Sequence, residues 1–239
     1  MSTLLLRFAA PLQSWGSSSR FQRRETNKEP TKSAVIGILA AALGRRRNDR
    51  IEDLLEIKFG IRIDQPGKLL RDFHTAHTVD GKQSFVSDRH YLSDAVFLVG
   101  IQDEDARLIE YEYALLHPAF PLFLGRRSCP PVQPFVLGIR KGLDLFSALQ
   151  SEPWWAAAFY QRKLQRQEKV PLEIVMDVPY SSPNSYTQKD LPHTFCQSYR
   201  QYASRSVASM IEGAFVENLQ AISLPTATDH DALSALGDV

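Results

Sequence analysis

A short loop with the sequence LGRRSCPP, residues 124–131, contains the side chains best suited to hold a phosphate group. Arg126 and Arg127 carry guanidinium groups, which donate paired hydrogen bonds to phosphate oxygens. Gly125 has no side chain and lets the backbone approach a ligand closely, while the two prolines restrict the shape of the loop. A phosphate-binding loop and a solvated basic turn both fit this pattern.

Charge is unevenly distributed along the 239-residue chain, although the chain is almost neutral overall. It has 28 Lys and Arg against 27 Asp and Glu, a formal charge of +1, which argues against a broadly basic nucleic-acid binder. Residues 1–50 nevertheless contain ten basic residues and three acids, whereas residues 103–112 contain five acids and one arginine. Ordinary surface patchiness and a groove for phosphates both explain this segregation, and the basic loop favours the groove.

Sequence patterns for other chemistries are weak. There is no Walker A, G-x-G-x-x-G or G-x-S-x-G sequence, so neither a nucleotide cofactor nor a serine hydrolase is indicated. His74-x-x-His77, with Asp88 and His90 further along, is the nearest approach to a metal site. No Cys or carboxylate stands at a usual ligand spacing from this pair, so polar residues of an exposed hairpin are the favoured interpretation.

The composition indicates a folded protein of the cytoplasm. The chain is 44% hydrophobic, enough for a substantial core. Cys129 and Cys196 are expected to be buried free thiols of a reducing compartment. The N-terminus lacks the features of a signal peptide, and the longest apolar run, residues 34–43, is about half the length of a membrane span.

The predicted elements that must position these residues form an α+β fold. A helix is predicted over 34–43, with Thr31 or Ser33 as its N-cap and Gly44 after its end. The remaining predicted elements are strands at 3–9, 59–63, 95–101 and 135–139 and a second helix from about 103 to 116 with the apolar stripe Ala106, Ile109, Tyr113 and Leu116. This order is ferredoxin-like and predicts an antiparallel sheet with helices on one face and the other face free.

The rest of the chain has a weaker pattern. The polar arm at about 72–91 contains the hairpin signal Asp80-Gly81. Residues 143–160 are predicted as one helix holding Trp154-Trp155, and 172–178 as a strand. Residues 180–192 read as a loop, and residues 206–239, with five acids and no Lys or Arg, as an acidic tail.

Six segments together resemble the CasD family, subunits of the type I-E CRISPR Cascade complex within the repeat-associated RNA-binding (RAMP) superfamily. They read LLLRFAAPLQSWG, PTKSAVIGILAAALG, RDFHT, RHYLSDAVF, FLGRRSCPP and RQYASRSVA, and the similarity covers roughly residues 3–208. The resemblance implies a ferredoxin-like (RRM-like) palm over 1–142 with an inserted thumb hairpin at about 72–91. It also implies a smaller C-terminal region over 143–239 that includes the acidic tail.

The resemblance further implies a function in antiviral defence. Members of this family hold the 5′ handle of the CRISPR RNA (crRNA), contact the backbone and large subunits of Cascade, and meet target DNA through the assembled complex. The implied role is non-catalytic, without cofactor or metal. The residues that the resemblance places at the RNA are Gln13, Trp15, Lys32, Ser33, His74, Arg89, Tyr91, Gly125, Arg126, Arg127, Ser128 and Arg205.

Two enzymatic alternatives remain. A metal-independent endoribonuclease acting on CRISPR precursor RNA needs a general acid or base and a cation near a 2′-hydroxyl, and His74, Tyr91 and Lys32 are the cluster that would supply them. A small-molecule enzyme needs a deep apolar pocket with convergent ionisable groups of perturbed pKa.

Overall fold

The computed structural model describes residues 1–16, 23–196, 199 and 201–222. The fold is mixed α/β, with a large antiparallel sheet and few helices. The strands are β1 Ser2–Ala9, β2 Leu12–Gln13, β3 Arg23–Arg24, β4 Lys58–Gln65, β5 Lys68–His77, β6 Ser84–Ser93, β7 Val96–Asp103, β8 Val136–Arg140, β9 Lys169–Asp177, β10 Tyr186–Thr194 and β11 Gln201–Glu217. The helices are α1 Lys32–Ala42, α2 Asp105–Leu116, α3 Leu145–Ser151 and α4 Ala158–Lys163. None of these helices is long and apolar enough to cross a membrane.

The main sheet has seven strands in the order β10-β11-β9-β4-β7-β1-β8, and every neighbouring pair is antiparallel. The elements β1, α1, β4, β7, α2 and β8 follow the strand–helix–strand–strand–helix–strand order predicted from the sequence. Because β9 pairs with β4, the sheet continues without interruption past residue 142.

Both faces of the main sheet are covered, so the prediction of one free face was wrong. Side chains alternate along β1, and Leu4, Leu6 and Phe8 join the core under α1 and α2 while Leu5 joins a second core with α3. Gly60 and Gly100 are paired across β4 and β7. A Cβ at Gly100 would lie 2.6 Å from the Leu145 side chain, and one at Gly60 would lie 3.1 Å from that of Leu149. The absence of a side chain at these glycines therefore lets α3 pack closely on the sheet.

Helix α1 forms as predicted and is buried against the sheet. Thr31 is its N-cap, with its hydroxyl accepting a hydrogen bond from the Ala34 amide at 3.3 Å. Gly44 follows the last turn with φ +77°, the left-handed conformation that ends many helices. The helix is apolar on most sides because it lies between the sheet, α2 and β10.

Helix α2 presents the predicted apolar stripe to solvent. Ile109, Tyr113 and Leu116 are exposed, whereas Leu108, Tyr111, Ala114 and Leu115 are buried against the sheet and α1. The helix therefore has two apolar stripes on opposite sides. The stripe predicted from the sequence is the one that faces solvent.

Strands β5 and β6 form the predicted hairpin arm, which is longer than the 72–91 predicted. They pair from Lys68 opposite Ser93 to His77 opposite Ser84 and are joined by a turn that contains Gly81 at φ +69°. In a small second sheet, β6 also pairs with β2 and β3. The arm therefore begins next to the first loop of the chain, which is the segment after β1 that contains β2.

Three predictions for the C-terminal third were wrong. Residues 143–160 form α3 and α4 instead of one helix, because Pro153 interrupts the helix and the amide of Trp155 donates to Asp64 Oδ2 at 2.7 Å. The loop predicted at 180–192 is a loop only up to residue 185, because strand β10 begins at Tyr186 and pairs with β11. Strand β11 extends to Glu217, so the tail predicted from 206 is a strand in its first part, and Asp229, Asp231 and Asp238 lie outside the described residues.

The anchor of the segment after α3 is an ion pair without solvent exposure between Arg62 and Asp64. Arg62 donates to both carboxylate oxygens of Asp64 and to three carbonyls, those of Leu149, Glu152 and Pro153. A buried guanidinium is tolerated only when its donors are satisfied in this way. The pair Trp154-Trp155 follows this ion pair in space, and Trp154 Nε1 donates to the carbonyl of Asp64 at 2.9 Å.

The two cysteines are not joined by a disulfide. Cys129 is buried as predicted, and burial is the main cause that raises the pKa of its thiol. Cys196 is half-buried, which corrects the expectation that both thiols are buried.

Candidate nucleic-acid interface

The basic loop at residues 124–131, here called the glycine-rich loop, is fixed against the first loop of the chain by a close backbone approach. Gly125 has φ +88°, and a Cβ there would lie 1.6 Å from the carbonyl oxygen of Ser14. The Ser14 amide donates to the Leu124 carbonyl at 3.2 Å, and the Leu124 amide donates to the Cys129 carbonyl at 2.7 Å. Only glycine satisfies both the dihedral angle and the contact, so Gly125 sets the position of the loop.

Arg126 lies at the base of the hairpin arm. Its guanidinium carbon is 4.4 Å from the centre of the Tyr91 ring, and Nη2 donates to the carbonyl of Arg24 at 3.0 Å. Its Nη1 is buried and has no hydrogen-bond partner among the described residues. Arg127 and Ser128 are exposed next to it. The loop therefore presents the oriented guanidinium of Arg126, the exposed guanidinium of Arg127 and the hydroxyl of Ser128.

A groove of about 310 Å³ runs along α1 between the first loop and the glycine-rich loop. Gly125, Trp15 and Ser33 from the predicted RNA set line it. Within the described ranges its charged lining residues are Arg45, Arg46 and Arg47. The lining residues that sequence reasoning did not assign to a site are Ser14, Gly16, Thr31, Ala34, Gly37, Ile38, Ala40, Ala41, Arg45, Arg46, Arg47, Pro121, Leu122, Phe123, Phe195 and Tyr202.

The arginines after α1 had a sequence signal that was not resolved to single residues. Arg45, Arg46 and Arg47 belong to the basic segment 1–50, but none of them was named as a site residue. Arg45 is engaged by Asp53, with its Nη1 2.5 Å from Oδ1, but the Arg46 and Arg47 side chains are exposed. Their run of three basic residues already indicated a phosphate-binding surface.

Gln13 and Trp15 are buried beneath the first loop. Gln13 donates through Nε2 to the carbonyls of Ala95 at 2.7 Å and Phe8 at 3.2 Å, which fixes the loop to the sheet. The Trp15 ring stacks on Phe8 with centroids 5.6 Å apart, and its Nε1 has no hydrogen-bond partner among the described residues. In this conformation Gln13 supports the groove, while Trp15 also forms part of its wall.

Lys32 and Arg205 belong to one buried ionic network. Lys32 Nζ donates to Asp177 Oδ2 at 2.8 Å and to the Ile57 carbonyl at 2.7 Å. Arg205 binds Asp190 through Nε at 2.6 Å and Nη2 at 3.0 Å, and it also pairs with Asp177. Burial alone would lower the pKa of Arg205, but its bonds to Asp190 and Asp177 raise it.

This network joins the start of α1 to β9, β10 and β11. The Lys32 amide donates to Asp190 Oδ2 at 2.9 Å, which places a carboxylate at the N-terminus of α1. Ser33 lies at 3.1 Å from the Thr31 hydroxyl and faces the groove. Of the sequence-predicted residues in this region, Ser33 is the one at the groove, while Lys32 and Arg205 hold its supporting elements together.

The remaining predicted residues, His74, Arg89 and Tyr91, lie on the hairpin arm. His74 is exposed, with Nε2 3.0 Å from Asp72 Oδ2. Arg89 is opposite Asp72 in the ladder, and its Nε is buried without a hydrogen-bond partner among the described residues. Tyr91 is buried under Arg126.

The histidine pattern on the arm does not converge. His77 is three positions after His74 along β5, so their side chains point to opposite faces of the strand. Within the described ranges no group of three or more His, Cys, Asp and Glu is placed to hold a metal ion.

The three residues nominated for RNA cleavage are not brought together. Tyr91 is opposite Leu70, which is four residues from His74 and therefore about 13 Å away along the strand. Lys32 is committed to Asp177 in the network under α1. A general base, an acid and a cation at one 2′-hydroxyl need a much closer arrangement.

A separate cavity of about 820 Å³ lies between residues 26–29, α4 and the start of β9, and it shares no lining residue with the groove. Burial is the main cause that raises the pKa of Glu29, followed by the charge of Glu173. Burial also raises the pKa of Tyr160. This cavity is where the hypothesis of a small-molecule enzyme would have to place its site.

The described fold and the basic groove along α1 define an α+β protein with a surface suited to an anionic chain. Residues 3–208 match the model of the CRISPR-associated protein family Cas_Cas5. The chain therefore belongs to the Cas5 family of CRISPR-associated proteins, and it is of the CasD type recognised from its sequence motifs.

Known proteins of two kinds are similar to this chain. The CRISPR system Cascade subunit CasD of Escherichia coli (strain K12) is 34% identical over 169 residues, which cover 62% of this chain and 75% of that protein. A chain of a CRISPR RNA-guided surveillance complex is 28% identical with a TM-score of 0.74, covering 94% of this chain and 95% of that one. A Cas protein crystal structure is 34% identical with a TM-score of 0.67, covering 93% of this chain and 99% of that one.

Proposed function

We propose that this protein is the RNA-binding subunit of a type I-E CRISPR Cascade complex that caps the 5′ handle of the crRNA. Its similarity to CasD and to a chain of an RNA-guided surveillance complex supports this function. The proposal places the protein in the cytoplasm, in contact with the backbone and large subunits. Target DNA reaches it only through the assembled complex.

In this proposal a ferredoxin-like palm is formed by β1, α1, β4, β7, α2 and β8, and the hairpin arm is its thumb. The strands β4-β7-β1-β8 have the order expected of that palm, with α1 and α2 on one face. The arm enters between β4 and β7, so its base lies beside the first loop and Arg126. The thumb and the glycine-rich loop then form two adjacent walls for one strand of RNA.

The observation that carries the proposal is the groove along α1. Single-stranded RNA is held by cations at its phosphates and by rings at its bases. The groove offers Arg46 and Arg47 as exposed cations, and the glycine-rich loop adds Arg126 and Arg127. Phe195 and Tyr202 also line it and supply rings for stacking. None of the lining residues in the described part of the chain is acidic, so none of them repels a phosphate.

The proposed role is binding without catalysis. His74, Tyr91 and Lys32 are separated and individually engaged by Asp72, Arg126 and Asp177. We expect the pure protein to leave repeat RNA intact in EDTA over hours. Specific cleavage that His74→Ala abolishes would contradict this and establish the endoribonuclease.

Binding to the handle is tested by comparing two RNAs of equal length and composition. One has the handle sequence at its 5′ end and the other has the same nucleotides shuffled. We expect the assembled complex to retain the first RNA and to lose the second at physiological salt, because a folded groove selects shape as well as charge. Equal retention of both RNAs would contradict handle recognition.

A further inference from the structure

Helix α2 carries an apolar stripe that the fold leaves uncovered within the described residues. Ile109, Tyr113 and Leu116 expose 59%, 67% and 58% of their surface. With Ala106 they are spaced by three and four residues and so share one face of the helix. The opposite face already supplies the core contacts through Leu108, Tyr111, Ala114 and Leu115. The outer stripe therefore contributes little to folding.

Acidic residues border this stripe. Asp105 and Glu110 are exposed on α2, and no ion pair with another described residue neutralises them. Arg107, the one basic residue of the helix, is occupied by Asp103, with its Nε 3.3 Å from Oδ2, and by the carbonyl of Asp53. The stripe as a whole is therefore an apolar surface bordered by the negative charges of Asp105 and Glu110.

We propose that this acid-edged stripe, Ala106, Ile109, Tyr113 and Leu116 with Asp105 and Glu110, is a docking site for a partner protein. The partner presents apolar side chains flanked by Lys or Arg. The chemistry follows from the stripe, because interfaces combine an apolar centre with a charged rim and pair opposite charges across it. Tyr113 is the central anchor, since exposed aromatic side chains at a protein interface contribute most to affinity.

Charge excludes two other occupants. Residues 206–239 of this chain contain five acids and no Lys or Arg, so the chain's own C-terminal segment carries the same sign as the stripe. RNA is excluded for the same reason, because phosphates are repelled by Asp105 and Glu110. The proposal rests on the proposed function in one respect, which is that the partner is a protein subunit of the same complex.

The test uses the assembled complex of recombinant subunits and crRNA, purified through a tag on this chain and measured by native mass spectrometry. The variant Ile109→Glu with Tyr113→Glu is compared with Ile211→Glu, which alters an equally apolar residue of β11 that is 77% exposed. We expect the α2 variant to lose one protein subunit at least tenfold and to keep the crRNA, and the β11 variant to keep both. We expect the double variant Ile109→Ala with Tyr113→Ala, which adds no charge, to lose the same subunit. Its melting temperature should equal that of the wild-type protein.

The charge on the edges is tested separately with Asp105→Lys and Glu110→Lys. We expect this pair to weaken the same subunit's retention, most strongly at low salt. Retention of every subunit by the Ile109→Glu, Tyr113→Glu protein, or equal loss in the Ile211→Glu control, would overturn the docking site. A dimer of the isolated wild-type chain that the α2 variant abolishes would overturn it too. If the purified wild-type complex is found to contain no crRNA, that result would instead overturn the proposed function.

Discussion

At the residue scale, the residue types of the glycine-rich loop predict a phosphate contact, whereas the burial of other candidate site residues could not be predicted. Gly125 and Arg126 stand out in the sequence because glycine and arginine together suit a phosphate. Lys32 and Arg205 carry the same charge as Arg126, but Asp177 and Asp190 neutralise them inside the protein. Those carboxylates come from β9 and β10, more than a hundred residues from Lys32, so no local pattern reveals the pairing.

Gly125→Ala is expected to be more destabilising than Gly142→Ala. Both residues have positive φ, but a Cβ at Gly142 meets nothing within 4 Å, whereas one at Gly125 collides with the Ser14 carbonyl. We expect Gly142→Ala to cost about 1 kcal/mol from its dihedral angle. Gly125→Ala should cost at least about 3 kcal/mol, because backbone must move. Urea denaturation of both variants measures the difference, and equal costs would contradict the close approach.

Arg205→Ala is expected to lower the free energy of unfolding of the protein. A loss of RNA binding by this variant therefore does not identify an RNA contact. The substitution leaves Asp190 buried without its cation and removes one of the two cations that Asp177 binds, and loss of one partner from a buried ion pair costs about 3 kcal/mol or more. Arg127→Ala, at an exposed site, is the control and should change stability by less than about 0.5 kcal/mol. Thermal melting at fixed pH checks this, and a near-neutral Arg205→Ala would show that the network is not needed for folding.

At the element scale, the strongest periodicities predicted the order of the main elements, and tertiary contacts decided the rest. Helix α1 and strands β1 and β7 were evident because their apolar runs are long, and β4 because its apolar residues alternate with other residue types. The sequence of α2 has two apolar stripes, and only the packed structure shows that Leu108 and Leu115 face the core while Ile109 and Tyr113 do not. Strand β10 escaped prediction because its polar residues are held by pairing to β11.

The hairpin arm is expected to tolerate loss of its aromatic residues in the isolated protein. Phe73 and Phe85 are exposed, so Phe73→Ser with Phe85→Ser should cost less than about 1 kcal/mol. Phe97→Ala, in the core under α1 and α2, should cost about 3 kcal/mol or more. Chemical denaturation of the isolated chain compares them, and a double variant as unstable as Phe97→Ala would mean that the arm belongs to the folding core.

At the scale of the whole molecule, near-neutral charge is the sum of opposed surfaces. The arginines after α1 and in the glycine-rich loop lie at or beside the groove, whereas the acids of α2 border its exposed stripe. Charge counts along the sequence revealed this segregation without showing which face each segment occupies. The second sheet face was not predictable, because α3 covers it through contacts at Gly60 and Gly100 that carry no local signal.

The central claim is that the glycine-rich loop grips RNA through its phosphates, and the salt dependence of binding tests it most directly. The affinity of handle RNA is measured in increasing salt for the assembled complex with wild-type protein and with Arg126→Ala and Arg127→Ala. Lys163→Ala with Arg166→Ala is the control, since it removes two exposed charges outside the groove lining. Loss of two phosphate contacts on a single strand should reduce the slope of log affinity against log salt by about 1.4. A slope unchanged in the loop variant, or reduced equally in the control, would contradict the claim.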